Sequence, residues 1–109
     1  MAANLKSTVY TGVGTTKEAV FTGGAGVSTT LIGFNVANIT VDTVAIDVYL
    51  YKSSTTTEAT MVKESYIPAG SSLLVISEGQ KIVLEENDEI RIVSDTATSI
   101  DVIASYLEK

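Results

Sequence analysis

Apolar and polar residues alternate with a period of two along most of this chain, in short runs separated by turn residues. That period places alternate side chains on opposite faces of an extended backbone, so each run predicts a strand with one face buried. Over residues 28–38, Ile32, Phe34 and Val36 alternate with Gly33, Asn35 and Ala37. Over residues 44–51, Val44, Ile46, Val48 and Leu50 form one face, and Ala45, Asp47, Tyr49 and Tyr51 the other. Ile90 and Ile92 share a face, and in residues 99–107 Ile100, Val102, Ala104 and Tyr106 oppose Asp101, Ile103 and Ser105.

The remaining segments carry weaker patterns. Residues 1–16 intersperse Leu5, Val9 and Val13 with Lys, Ser, Thr and Gly, which predicts an extended arm with little stability of its own. Glu18-Ala19-Val20-Phe21-Thr22 predicts a short strand, and Gly23-Gly24-Ala25-Gly26 a loop, because glycine resists ordering. The Ser/Thr tract over residues 52–57 predicts a polar loop, its hydroxyls competing for backbone hydrogen bonds. Residues 59–66 predict a strand of undefined inward face, followed by a turn at Pro68 and Gly70, a strand over residues 73–76, a turn at Glu78-Gly79 and a strand over residues 81–84. Glu85-Glu86-Asn87-Asp88 reads as a connection between neighbouring strands.

No segment has a helical period, and the abundance of Thr, Val and Ser disfavours helices. About eight short strands at this spacing predict an all-β fold, a single antiparallel β-sandwich of immunoglobulin-like or jelly-roll type. The expected organisation is an extended N-terminal arm, residues 1–16, and a β-sandwich domain, residues 17–109.

Composition narrows the function. At 109 residues with 45% hydrophobic content, the chain is one domain with a real core. Its formal charge of −6, with few and scattered basic residues, argues against nucleic acid or an anionic membrane as partner. No run approaches the length of a membrane span, and the start lacks the apolar stretch of a secretory signal, so synthesis in the cytoplasm is the expectation.

The absence of His and Cys removes the common catalytic triads, thiol nucleophiles, disulfides and thiolate zinc sites, and no cofactor is expected. Asp47 and Asp101 are the candidates for a glycosidase-type carboxylate pair, against the plainer reading of solvated aspartates on half-exposed strands. Glu85, Glu86, Asp88 and Glu89 could offer oxygens to calcium but lack the spaced ladder of a calcium loop, so a solvated turn that discourages edge pairing is the better reading. The glycines form no phosphate loop. Tyr10, Tyr49 and Tyr51 could form a sugar-stacking surface, although Trp, which such platforms favour, is absent. What remains is surface: an N-terminal arm around Leu5, Val9 and Tyr10, with Tyr49 and Tyr51, are the candidate interface residues.

The succession Ile67-Pro68-Ala69-Gly70-Ser71-Ser72-Leu73, Gln80-Lys81-Ile82-Val83-Leu84, Asp88-Glu89-Ile90-Arg91-Ile92 and the final run from Ser99 resembles small β-sandwich structural proteins of tailed bacteriophages. The similarity covers about residues 28–107, and Asn87 stands where glycine is usual, a change the left-handed region tolerates in asparagine. The resemblance implies a non-enzymatic virion protein assembled in the host cytoplasm, foremost a capsid decoration or cement protein. Its partners would be the major capsid protein or neck and tail proteins, with homo-oligomers expected. The alternatives are a head-tail connector, neck or tail accessory protein, and a carbohydrate-binding module.

Overall fold

A computed structural model of the chain describes residues 4–76 and 81–109. The turn expected at Glu78-Gly79 and the first three residues of the arm lie outside the described residues. The strands are β1 (Asn4–Val13), β2 (Glu18–Thr22), β3 (Thr29–Asn38), β4 (Val44–Lys52), β5 (Thr57–Ile67), β6 (Ser72–Ile76), β7 (Ile82–Leu84), β8 (Glu89–Ser94) and β9 (Ile100–Glu108). A single 3-10 turn, Ser53–Thr55, interrupts the Ser/Thr tract.

The strands form two antiparallel sheets. In the first the order is β1-β9-β3-β6, with β7 pairing β3 beyond the end of β6, and in the second it is β2-β8-β4-β5. Counting β6 and β7 as one broken strand, the chain pairs first with last, second with second-last, and so inward to the β4–β5 hairpin. An eight-stranded hairpin folded over on itself in this way is the jelly roll, which decides between the two sandwich topologies expected from sequence.

The core lies between the sheets. Val44, Ile46, Val48, Ile90 and Ile92 of the second sheet share one buried cluster with Phe34, Val36, Ile100 and Val102 of the first. The alternation in β4, β8 and β9 therefore reads through to the structure without change. In β3 it does not. Leu31 is buried and Ile32 is 40% exposed, because the register shifts between Leu31 and Gly33 and an extra residue reverses the phase before Phe34.

The opening segment is extended as expected, yet it is not an arm apart from the domain. It is the outer strand β1, paired with β9 from Asn4 through Tyr10 and again at Val13, whose side chain is fully buried. Thr, Val and Tyr along it suit a strand, and long-range pairing supplies the stability that its local pattern lacks.

Two irregularities in the ladders are tied down by the two aspartates considered as a catalytic pair. Gly12, at φ +73°, sits where β1 slips against β9, and its N–H donates to Asp101 Oδ1 at 3.1 Å. Glu64, at φ +47°, lies opposite the slip in β4–β5, and its N–H donates to Asp47 Oδ1 at 2.7 Å. The Pro68 turn closes as expected, with Ser71 N–H donating to Pro68 O at 3.0 Å and Gly70 at φ +71°.

Asn38, buried at the end of β3, holds the β3–β4 and β5–β6 connections together. Its amide donates to Asp42 O at 2.8 Å and Ile67 O at 2.9 Å, and its oxygen accepts from the Thr40 N–H and hydroxyl, each at 2.8 Å. Replacing Asn38 by Ala is expected to lower unfolding free energy by about 2 kcal/mol, since buried polar groups lose their partners. Urea unfolding of the two proteins, with an unchanged slope, checks it.

Candidate functional site

The outer faces of the two sheets differ in chemistry, and that difference is the main contrast on the surface of the molecule. On the first sheet the register aligns outward side chains in rows that cross it. Leu5 opposes Leu107, Leu107 opposes Thr30, and Thr30 opposes Val83. Val9 opposes Ile103, Ile103 opposes Asn35, and Asn35 opposes Leu74. Ser7, Ser105 and Gly33 form the row between them.

These three rows contain no charged residue. Their apolar members stand in solvent: Leu5 is 75% exposed, Val9 and Leu74 62%, Val83 57% and Ile103 49%. Alternation explains how they arise, because every second residue of a two-layer sandwich must point outward whatever its type. On an outward face of a domain with a net charge of −6, a run of Leu, Val and Ile without a single charge is a departure from solvated β-surface.

The outer face of the second sheet is built on charge. Arg91 donates from Nε to Glu89 at 2.7 Å and from Nη1 to Glu58 at 3.1 Å, and Lys17 reaches Glu58 at 2.9 Å. The Lys17 ammonium lies 4.0 Å from the centre of the Tyr49 ring, and the Arg91 guanidinium 3.9 Å from that of Tyr51. Tyr49 donates its hydroxyl to Asp47 Oδ2 at 3.0 Å, which raises the tyrosine's pKa. Asp47 is held below its ordinary value, first by the Glu64 N–H and then by Tyr49 and Lys63, against the opposing effect of burial.

The candidate interface residues accordingly fall into separate places. Leu5 and Val9 point outward on the first sheet, while Tyr10 points inward, packs on the core and gives its hydroxyl to Glu18. Tyr49 and Tyr51 lie on the opposite outer face, half-buried, each with a cation over its ring. Tyr10 therefore forms no common stacking surface with them. Ile103, Leu74 and Val83 complete the uncharged rows, and the signal for them was an apolar residue on the polar side of a strand, as Ile103 stands on the side of Asp101 and Ser105.

Nor does the fold bring Asp47 and Asp101 together, since β4 and β9 belong to different sheets. In the acidic turn, Asp88 is buried rather than solvated. Its Oδ1 accepts from Ser53 N–H at 2.9 Å, and its Oδ2 from Glu85 N–H and Lys52 Nζ, each at 2.9 Å. Among the described residues no group of three or more acidic side chains is placed to hold a metal ion.

Two clefts open on the surface. One, of about 240 Å³, lies between the facing edges of β1 and β2, lined by Thr8, Phe21, Tyr106 and the buried Thr29, whose hydroxyl has no hydrogen-bond partner among the described residues. The other, of about 270 Å³, lies against Asp47, Glu64, Tyr66 and Asp95 on the charged face. In it Asp95 accepts from Ala45 N–H at 3.2 Å, so two of its three carboxylates are engaged with backbone amides.

No protein-family model matches the chain, and no curated protein matches it in sequence. Among solved structures it is similar to a chain of the Bacillus endospore appendages, described as a family of disulfide-linked pili, with a TM-score of 0.58 at 11% identity over 98% of this chain and 85% of that one. A chain of infectious bursal disease virus, Gt strain, aligns over 99% of this chain and 30% of its own length at 11% identity, and its TM-score of 0.30 carries no structural argument. At these identities the likeness to the appendage chain is one of fold: a small all-β sandwich.

Proposed function

We propose that this protein is a non-enzymatic building block of a larger assembly, docking through the outer face of its first sheet, and that the assembly is the head of a tailed phage, which it decorates. The observation that carries the docking reading is the uncharged surface of Leu5, Val9, Leu74, Val83 and Ile103 set against the ion-paired face opposite. Apolar area of this kind gains free energy when covered, and many repeated contacts stiffen a shell. The fold shared with a pilus chain accords with a subunit of an assembly. The disulfide linkage named for that pilus has no counterpart in a chain without cysteine. The resemblance of the Ile67-Pro68-Ala69-Gly70 succession supports the phage setting.

The cations over Tyr49 and Tyr51 weigh against the carbohydrate reading, because each occupies a ring face on which a sugar would stack. Truncation of residues 1–16 would also remove β1 and uncover its share of the core, so the docking reading is better tested by substitution. The double substitution Leu74→Glu with Ile103→Glu is expected to leave the unfolding midpoint within a few degrees, both side chains being outward. It is expected to abolish incorporation into particles, measured by quantitative mass spectrometry of purified heads. Full incorporation of the substituted chain overturns the docking face, and absence of the wild-type chain from purified heads overturns the phage setting.

A further inference from the structure

Deepening that reading, and resting on it for the role of the first sheet, the geometry points to a homodimer in which β1 pairs antiparallel with β1 of a second copy, centred on Ser7. Among the described residues, β1, β2, β5 and the broken strand β6 plus β7 are outermost in their sheets. A free edge is a template for another strand unless it is short, bulged or charged. β2 has five residues and a register shift between Ala19 and Phe21. β5 lies along two shifts, carries Lys63 and Glu58, and has Glu64 at φ +47°. β6 and β7 have five and three residues. β1 alone pairs without a shift for seven residues, from Asn4 to Tyr10.

The partner that fits this edge is the edge itself. With Ser7 on the two-fold axis, Leu5 stands opposite Val9 of the other copy and Val9 opposite Leu5, all on the outer face. On the inner side Lys6 stands opposite Thr8, and Asn4 opposite Tyr10. The neighbouring even registers fit less well. Centring on Lys6 sets two ammonium groups directly opposite each other, a destabilising pair, and centring on Thr8 sets Leu5 against Thr11 and Val9 against Ser7. Registers that differ by one residue would turn the outer face of one copy into the inner face of the other.

Charge permits this register. Lys6, the only charged side chain of β1, is paired with Glu108 of its own copy at 2.6 Å, so the two Lys6 groups, diagonal to each other across the axis, meet as neutralised pairs. The dimer joins two four-stranded arrays into one continuous sheet, and the apolar rows ending at Leu5 and Val9 run on into their counterparts. A self-complementary patch of this kind closes as a two-fold dimer rather than growing into a filament.

The chain contains no cysteine, so a single introduced thiol reports the seam. Residues paired directly across antiparallel strands have Cα atoms about 4.5–5.5 Å apart, inside the range a disulfide spans. Ser7→Cys is expected to form a covalent dimer under mild oxidation on the order of a thousandfold faster than Val41→Cys, the ratio of a millimolar effective concentration to a micromolar one. Val41, 90% exposed, is the control for chance collision. A mixture of Leu5→Cys and Val9→Cys is expected to cross-link faster than either alone. Val9→Lys is expected to reduce the mass in sedimentation equilibrium from twice the 11.5 kDa of one chain toward that of one chain. Equal rates for Ser7→Cys and Val41→Cys, or unchanged self-association of Val9→Lys, overturn the seam. These measurements use the isolated protein, so they fail independently of the particle-incorporation test with Leu74→Glu and Ile103→Glu.

Discussion

Replacing Asp88 with alanine is expected to cost about 3–5 kcal/mol of stability, from the loss of a buried, fully engaged carboxylate. Its oxygens accept from two backbone amides, those of Ser53 and Glu85, and from Lys52, which ties the β7–β8 turn to the β4–β5 connection. Without the carboxylate the Lys52 ammonium still has Glu85 and solvent, whereas the two amides lose their acceptor. The loss falls mainly on those amides. A drop in melting temperature of roughly 15 °C or more is expected, read by circular dichroism, because each kcal/mol moves a domain of this size by several degrees. A change of under about 1 kcal/mol would contradict the role given to Asp88.

The same carboxylate makes stability depend on pH. Burial alone would raise its pKa, but the Glu85 N–H, the Lys52 ammonium and the Ser53 N–H together outweigh burial and hold it below the ordinary value of 3.8. With the folded-state value below the unfolded one, the unfolded chain takes up the proton first as pH falls. The contribution of Asp88 is therefore complete above the ordinary carboxylate range and is lost as pH falls through 3.8 toward the lower folded-state value. Asp47, lowered by the Glu64 N–H first, adds an effect of the same sign. The gap in stability between wild type and Asp88→Ala is expected to be constant near neutral pH and to shrink below pH 4, measured by urea unfolding across that range.

Gly23→Ala is expected to destabilise the fold by about 3 kcal/mol or more, at the upper end for overpacking. A Cβ at this position would lie 2.2 Å from the carbonyl oxygen of Glu85 and 3.1 Å from its carbon, a collision with backbone rather than with a movable side-chain end. The backbones are also bonded to each other: Gly23 N–H donates to Asp88 O at 2.8 Å, and Asn87 N–H donates to Gly23 O at 3.0 Å. Relieving the clash means separating strands that these bonds hold together. Gly26→Ala is the control, because a Cβ there meets nothing within 4 Å, and only the left-handed φ of +71° is strained. Gly23→Ala is expected to melt well below Gly26→Ala, and equal melting temperatures would show that the turn and the β2–β3 loop move apart freely.

Legibility in the sequence followed the periodicity. The core faces of β4, β8 and β9 could be read because Val44, Ile46, Val48, Ile90, Ile92, Ile100 and Val102 keep the period of two without interruption. The inward side of β5 could not, because the strand runs along two register shifts and both Met61 and Val62 end half-buried. Ile32 was placed inward by its period and turns outward, since nothing local marks an extra residue in β3. Asn87, standing where the resemblance has glycine, takes the left-handed conformation its residue type tolerates, at φ +67°.

The candidate surface was partly legible. Leu5 and Val9 stood out as apolar residues in a polar segment, whereas their alignment with Ile103, Leu74 and Val83 required the pairing of β1, β9, β3, β6 and β7. Asp47 and Asp101 read as solvated aspartates on half-exposed strands, and Asp88 as part of a solvated turn. Each is distinguished only by the backbone amide it receives from a segment far along the chain.

By itself the sequence determined an all-β chain with one core, because periodicity and turn chemistry act between near neighbours. It also determined, through the lack of His and Cys, the chemistry closed to the protein. Only the tertiary structure decided that the sandwich is a jelly roll, that the opening segment is an integral edge strand, and that three uncharged rows cross one outer face. These properties depend on which strands lie side by side. Strand pairing is a contest among distant segments with similar local preferences, decided by burial of the whole core.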